Sequence, residues 1–520
     1  YQCDWSSDVC SSDLGGVKLP GNRFALNTEL NGTIIIDHHG KIIHFLNSEI
    51  NIQNNTVIAQ YLDKIGNLWL CLNKGITKVA LHSPLQFFGP SDGLSGNIYG
   101  STIYGNSIYV ASSDGLFSKK NAKAKFSAVK EIPFSRRQVM NYENQLLIAS
   151  EGGLFLLDGQ KVKKIIDGSF NALRYSESDR KIIAATKHDI FILNQNTKED
   201  YHLKVTSDEI FQIAEGKTKT DSKNYIWLTT LSGGVYVIDL NTIPVRLNDL
   251  SFSGGLPAEW LYPFSFNQTI FLGCNYGILS PKGKSFDSTL IFEDAGILNT
   301  EINESFSFYT QTINDKKYFI KENHIHYLPA ITKANSIPVP FNPIELGKIH
   351  HLYSSSNQLL ISGDDGLVAY NENDSFNYKA GFNLILRNIS IKNDSTEYIS
   401  DNSNELKINS PFKYSQNSIQ VVFAADYYYK EDKLEFFARL AGPLTDSVNW
   451  NSIPEFEFNN LAEGTYTLTA TAKNIFEKTC ADCTGHGVPG GFMSMVCSED
   501  RKSTRLNSSH TDISRMPSSA

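Results

Sequence analysis

The sequence is poor in the residues that build helices, disulfide frameworks and charged binding faces. Its 520 residues include only 4 Met and 7 Cys, set against 31 Phe, 24 Tyr and 36 Gly. That balance favours aromatic-rich strands joined by glycine turns over Met- and Leu-rich helices. Neither sign of charge dominates: 47 basic and 55 acidic residues leave a net charge of -8. Without a polybasic run, neither a nucleic-acid face nor a membrane-surface patch is indicated. No apolar run approaches the roughly 18 to 20 residues that span a bilayer, and the chain opens Tyr1-Gln2-Cys3 without an apolar leader. As it stands, it is expected neither to cross a membrane nor to carry a secretion signal. Catalytic signatures are missing too: no P-loop, no glycine-rich nucleotide box, no H-E-x-x-H, no G-x-S-x-G and no kinase-like boxes. Neither catalysis nor a cofactor is expected of this chain. What is present, 41% hydrophobic and 20% charged residues, is the composition of a soluble globular protein long enough for three or four domains.

The cysteines thin out further on inspection. Residues 1–14 and 498–520 have no hydrophobic period, and both ends carry a Val-Cys-Ser-(Ser/Glu)-Asp signature. They resemble translated sequencing-adapter sequence at the ends of assembled metagenomic reading frames, so residues 1–15 and 478–520 are expected to lie outside the fold. Cys3, Cys10 and Cys497 go with them, and Cys480 and Cys483 lie where the strand pattern has already stopped. The spacing Cys480-x-x-Cys483-x-x-His486 lacks the second half of a zinc site, so no metal is expected. Cys71 and Cys274 remain, each in an apolar strand that suits a buried thiol.

A unit of about 42 residues recurs. It reads LWLCLNKGIT at Leu68, IYVASSDGLF at Ile108, LLIASEGGLF at Leu146, IIAATKHDIF at Ile182, WLTTLSGGVY at Trp227, IFLGCNYGIL at Ile270, YFIKENHIHY at Tyr318 and LLISGDDGLV at Leu359, with a looser copy opening at Phe24. Two apolar runs joined by a short polar turn ending in Gly make a tight hairpin, because that last residue takes positive φ. Gly75 marks the position in one unit; where Gly is missing, Asp189 and His324 stand in, and both residue types tolerate positive φ. The period matches one four-stranded β-propeller blade. Nine units exceed the usual ring, so residues 16–82 are expected to be two blades of a truncated propeller and 83–378 a complete seven-bladed one, with a single nine-bladed ring as the alternative. Around Asp63, Gly66 and Trp69 the sequence predicts a carboxylate-capped turn followed by a tryptophan that wedges into the next blade, a role echoed by Trp227.

After Tyr378 the period ends. Leu384 to Lys392, Ser418 to Phe423, Leu434 to Leu440, Phe456 to Phe458 and Tyr466 to Ala472 read as strands of a small immunoglobulin-like sandwich over 379–477. The chain as a whole is therefore expected to be all-β, a propeller followed by a sandwich. The repeat resembles the two-component-regulator propeller repeat, D-x-x-G-N-[IL]-W-[IL]-G-T-x-x-G-[IL]. The sandwich resembles the triple-tyrosine domain that follows such propellers: Asn460, Leu461, Gly464, Tyr466, Leu468, Ala470, Ala472 and Asn474 match its closing motif, and Leu440, Gly442 and Trp450 its earlier one. Two of the three family tyrosines fall at Phe436-Phe437 and Phe458; the run Tyr427 to Tyr429 is placed on another strand and is not the motif.

The resemblance implies the periplasmic sensor region of a bacterial membrane-anchored regulator. In that family a ligand, often an oligosaccharide, engages the propellers. The sandwich then signals through dimer geometry to a downstream membrane anchor and an output domain, a histidine kinase or a helix-turn-helix regulator. A homodimer formed through the sandwich is implied, and no nucleic acid is expected to bind this segment. Two other readings remain: a propeller enzyme such as a polysaccharide lyase or glycosidase, and a passive interaction propeller. The residues offer an enzyme little. His38-His39 and His350-His351 are adjacent pairs whose side chains should diverge on a strand, and Asp114, Asp364 and Asp365 sit in hairpin turns. Segments before each first strand edge the mouth of such a ring, which makes Tyr99, Arg136, Arg137, Trp260 and Tyr262 the candidates for ligand contact through aromatic stacking and capture of an acidic group.

Overall fold

The computed structural model describes residues 15–476 apart from short gaps, the longest being 296–309, 372–380 and 400–415, together with strands at 479–480, 492–497 and 511–514. The chain forms two compact units, residues 47–52 with 83–375, and residues 1–46 with 53–82 and 376–520.

The middle strand of each repeat is apolar along its whole length rather than alternating, and the 83–375 unit shows why. In Gln145–Ser150, Leu146 and Ile148 join a cluster with Ala111, Leu116 and Val139. Leu147 and Ala149 join one with Phe170, Leu173 and Ala184. Both faces of the strand are covered, each by a neighbouring sheet, so no position can be polar without cost. Complete burial of each such Leu or Ile stabilises the fold by about 1.5–3 kcal/mol.

Seven four-stranded antiparallel sheets, blades 1 to 7, are built this way, and they form a β-propeller. Their innermost strands are Ile98–Tyr104, Gln138–Tyr142, Ala172–Ser176, Ile210–Gly216, Tyr262–Phe266, Thr310–Ile313 and Ile349–Ser355. Blade 7 has only three consecutive strands, ending with Gly366–Asn371; its outermost is Leu85–Phe88, from ahead of blade 1, with Phe88 opposite Leu367 and Leu85 opposite Tyr370. The ring is closed by sheet hydrogen bonds between its two ends.

Hairpin glycines take the positive φ expected of them, +138° at Gly115 and +140° at Gly366. At Gly366 a Cβ would also lie 2.4 Å from the Phe88 carbonyl oxygen, so the glycine serves both the turn and the closure. Two turns differ from expectation. Asp189 does not adopt positive φ; the Thr186 hydroxyl closes that turn by accepting from the Asp189 N–H at 3.1 Å. In the unit at Trp227, Gly233 (φ +85°), not Gly234, takes the strained position. Trp227 itself is fully buried among Leu261, Ile270 and Leu272 of blade 5, its indole donating to the Gly216 carbonyl at 3.2 Å.

The other unit opens with a four-stranded sheet, Gly16–Leu19, Arg23–Asn27, Thr33–Ile36 and Ile42–Leu46, and a three-stranded one, Val57–Leu62, Asn67–Leu72 and Ile76–Ala80. Asp63 caps its turn fully: one oxygen accepts from the Ile65 and Asn67 N–H groups, the other from the Asn67 amide and, at 3.0 Å, the Trp69 indole. Gly66 completes the turn at φ +89°. Trp69 meets Tyr428 edge-on at 5.2 Å rather than a further blade, and Lys78 pairs with Glu431. Cys71 is exposed, against expectation; Cys274 is buried. His38 and His39 do not diverge on a strand. They lie in a turn, ring centroids 3.7 Å apart, after Asp37, whose carboxylate accepts from the His39 and Lys41 N–H groups.

The sandwich pairs Glu397–Ile399, Leu384–Ile391, Ile419–Ala425 and Glu455–Phe458 in one sheet. The second holds Asp446–Asn451, Glu435–Ala441 and Gly464–Lys473, on whose free edge Phe492–Cys497 and then Thr511–Ser514 follow. Phe436 and Phe458 are buried where the motif has tyrosine, and buried Tyr466 donates its hydroxyl to the Ala462 carbonyl at 3.1 Å, the corner geometry of immunoglobulin-like folds. Gly464 (φ +152°) leaves no room for a Cβ against Pro443. Trp450 is half-exposed, against Phe437 and under Lys473. Tyr427 to Tyr429 follow the strand Ile419–Ala425 rather than lie on a strand, and Tyr427 and Tyr429 fill the core.

Candidate functional site

An innermost propeller strand has a neighbour on one side only, so its other edge, with unpaired N–H and C=O groups, turns to the ring axis. Side chains from both faces of the strand reach the axis past that edge. A cavity of ≈ 660 Å3 lies there, lined by blade 2 (Gln138, Met140, Asn141), blade 3 (Arg174, Tyr175), blade 4 (Glu215, Asn224), blade 5 (Ser265, Gln268) and blade 7 (His351, Tyr353, Ser354).

Most of these side chains tie one blade to the next. Gln138 accepts the Leu173 N–H at 2.7 Å, and Glu215 accepts the Ser176 hydroxyl at 3.0 Å. Asn141 spends both amide hydrogens, on the Ile103 carbonyl at 2.6 Å and the Tyr353 hydroxyl at 2.9 Å, joining blades 2, 1 and 7. A flipped amide would set oxygen against the Ile103 oxygen, so the orientation is determined. Its Oδ1 is thereby left buried in the cavity wall without a protein partner, as is Asn224 Oδ1. Each such oxygen costs about 1–3 kcal/mol. Tyr142 stands behind the wall, edge-on to Tyr175 at 5.1 Å; burial, Glu143 and Tyr175 push its phenol up to about 12.

Electrostatically the wall is sparse. Complete burial pushes His351 down to about 4, so it is neutral near pH 7. Glu215 is engaged with Ser176. Arg174 is exposed to the cavity and has no hydrogen bond or ion pair among the described residues.

The residues expected from the sequence fall elsewhere. Tyr99 lies beside His350 at 5.0 Å, where blades 7 and 1 meet. There His350 Nε2 meets Asp364 at 2.7 Å and Asn97 donates to the same carboxylate at 2.9 Å. Burial works to raise the Asp364 carboxyl, but the bonds from His350 and the Lys348 N–H prevail and hold it below its usual range. Trp260 and Tyr262 gather around Phe211 at 6.0 and 5.0 Å. Trp260 is 43% exposed and Tyr262 only 6%, so Trp260 offers a face while Tyr262 backs it. Arg136 and Arg137 lie outside the described residues. None of the three that are described, Tyr99, Trp260 and Tyr262, lines the cavity. The cavity residues escaped the sequence reading because the repeat is recognised by its second and third strands, whereas the channel is lined by the first; polar side chains at its end, such as Asn141, Tyr175 and Tyr353, were the available signal. Among the described residues no group of three or more His, Cys, Asp or Glu could hold a metal ion.

The fold and the cavity together define an all-β propeller protein with a polar axial site and an appended sandwich. The extracellular domain of a protein described as a hybrid two-component system from B. thetaiotaomicron has the same fold. It matches with a TM-score of 0.63 at 16% identity, over 90% of this chain and 66% of its own length. The chain thus spans about two thirds of that domain. The extracellular domain of a second such system from the same organism matches less well, with a TM-score of 0.43 at 16% identity, covering 92% of this chain and 68% of that one. No protein-family model matches the sequence, and no curated protein does.

Proposed function

We propose that this chain is the ligand-binding, extracytoplasmic sensor region of a membrane-anchored bacterial signalling protein of the two-component type. It binds an oligosaccharide or another small polar ligand and carries no catalysis of its own. The observation that supports this reading most is the axial cavity: its volume suits a di- or trisaccharide. Its wall is made of amides, hydroxyls and strand edges contributed by five blades, so a bound ligand changes how the blades sit against one another. The fold shared with the extracellular domain from B. thetaiotaomicron is consistent with such a role. Output passes through the sandwich, which dimerises, to an anchor and an effector domain beyond it. Among the described residues no helix is long and apolar enough to cross a membrane.

Calorimetry of residues 15–476 against neutral and acidic oligosaccharides, with chromatography of each mixture, tests the reading. A ligand that binds without product, and that loses affinity at least tenfold when Ser265→Trp fills the cavity, is expected. Product release overturns the absence of catalysis; binding indifferent to Ser265→Trp overturns the site.

A further inference from the structure

The cavity wall also discriminates among polar ligands, an inference that rests on the proposed site. Both amide hydrogens of Asn141 are used within the wall. Its carboxylate, Glu215, is hydrogen-bonded by Ser176, and its imidazole, His351, is uncharged near pH 7. The wall's cation, the guanidinium of Arg174, makes no hydrogen bond or ion pair among the described residues. A guanidinium presents a rigid fork of donors that matches a carboxylate through two parallel bonds, and low-dielectric walls strengthen its field on anything that enters. An inorganic anion would satisfy only that corner. Beside Arg174 stands the ring of Tyr175, held edge-on by Tyr142. On the flanking blades 2 and 4, Asn141 Oδ1 and Asn224 Oδ1 lie buried in the wall without a protein partner.

We infer that the cavity takes a polyhydroxylated carboxylate, of which a uronate-terminated saccharide is one example. The carboxylate sits on Arg174, the apolar face of the ring lies on Tyr175, and hydroxyls donate to the amide oxygens as the wall relaxes around them. Arg174 sets the charge of the ligand; the cavity as a whole sets its size.

The test is a matched trio of probes on the full chain by calorimetry at low and moderate salt: a glucuronate-terminated disaccharide, the glucose-terminated disaccharide of the same linkage, and acetate. The uronate is expected to bind at least tenfold more tightly than its neutral counterpart and to weaken as salt rises, while acetate does not bind measurably. Arg174→Gln should abolish the tenfold preference, and Arg174→Lys should restore part of it. Equal binding of the two disaccharides, unchanged by Arg174→Gln, overturns the charge assignment and leaves the cavity as the site. Binding of acetate as tight as that of the uronate overturns the polyhydroxylated class. Failure of the uronate to bind overturns this inference alone, since the cavity is judged by the wider panel and Ser265→Trp.

Discussion

His351 is the residue where burial, charge and the site meet. It faces the cavity from blade 7 and is buried. An unfolded chain protonates it near 6.5 and the folded chain only near 4. Between those values the unfolded state holds more protons, so stability is full above pH 6.5 and falls as the pH drops toward 4. By pH 5 the loss is on the order of 2 kcal/mol. Urea midpoints of the wild type and His351→Gln at pH 7 and pH 5 check this: the wild-type midpoint should fall between the two and the variant's should fall less. Little at this scale was legible beforehand. The sequence singled out aromatics and arginines ahead of the first strands, by their bulk and chemistry. Those among them that are described, Tyr99, Trp260 and Tyr262, pair with His350 and Phe211. What selects the cavity residues is which strand edge is unpaired, and that is a property of the assembled ring.

At the scale of the element, the hairpin of second and third strands could be read almost whole. A run covered on both faces must be apolar throughout, and a two-residue turn demands a residue free of Cβ strain, so both leave marks in a single sequence. The outermost strands left none. Leu85–Phe88 is a four-residue segment with Leu85 and Phe88 buried and Gln86 and Phe87 turned outward, too short to show a period, and only its pairing with Gly366–Asn371 gives it meaning. Its importance can be measured. Phe88 is 4% exposed, edge-on to Phe126 at 5.6 Å with the Lys119 ammonium over both rings. Phe88→Ala should cost about 3–5 kcal/mol. Gly366→Ala, which sets a methyl group against the Phe88 carbonyl, should cost about 2–4 kcal/mol. Chemical denaturation followed by tryptophan fluorescence reads both. Because each variant acts on the same pairing, the double variant should lose less than the sum of the two. Full additivity would mean that the closure strand and the turn act independently.

At the scale of the whole molecule, the ring is an insertion: the chain leaves one unit at about residue 82, runs through seven blades, and returns at 376. Its first and last strands are neighbours, and the Asn371 N–H donates to the Pro84 carbonyl at 3.1 Å. That arrangement has a mechanical consequence. Because Leu85–Phe88 and Gly366–Asn371 are antiparallel and the chain enters and leaves at the same end of the pair, tension applied across residues 83 and 375 loads their hydrogen bonds one at a time, as a zip is opened, instead of all together in shear. In single-molecule pulling from those two positions the first rupture should be a low-force event that releases only the closure strand, followed by blades yielding at higher force. A single high-force rupture would mean that the clasp is braced by something other than its strand pairing. A tug on the ring's two connections therefore opens its seam before it disturbs any blade.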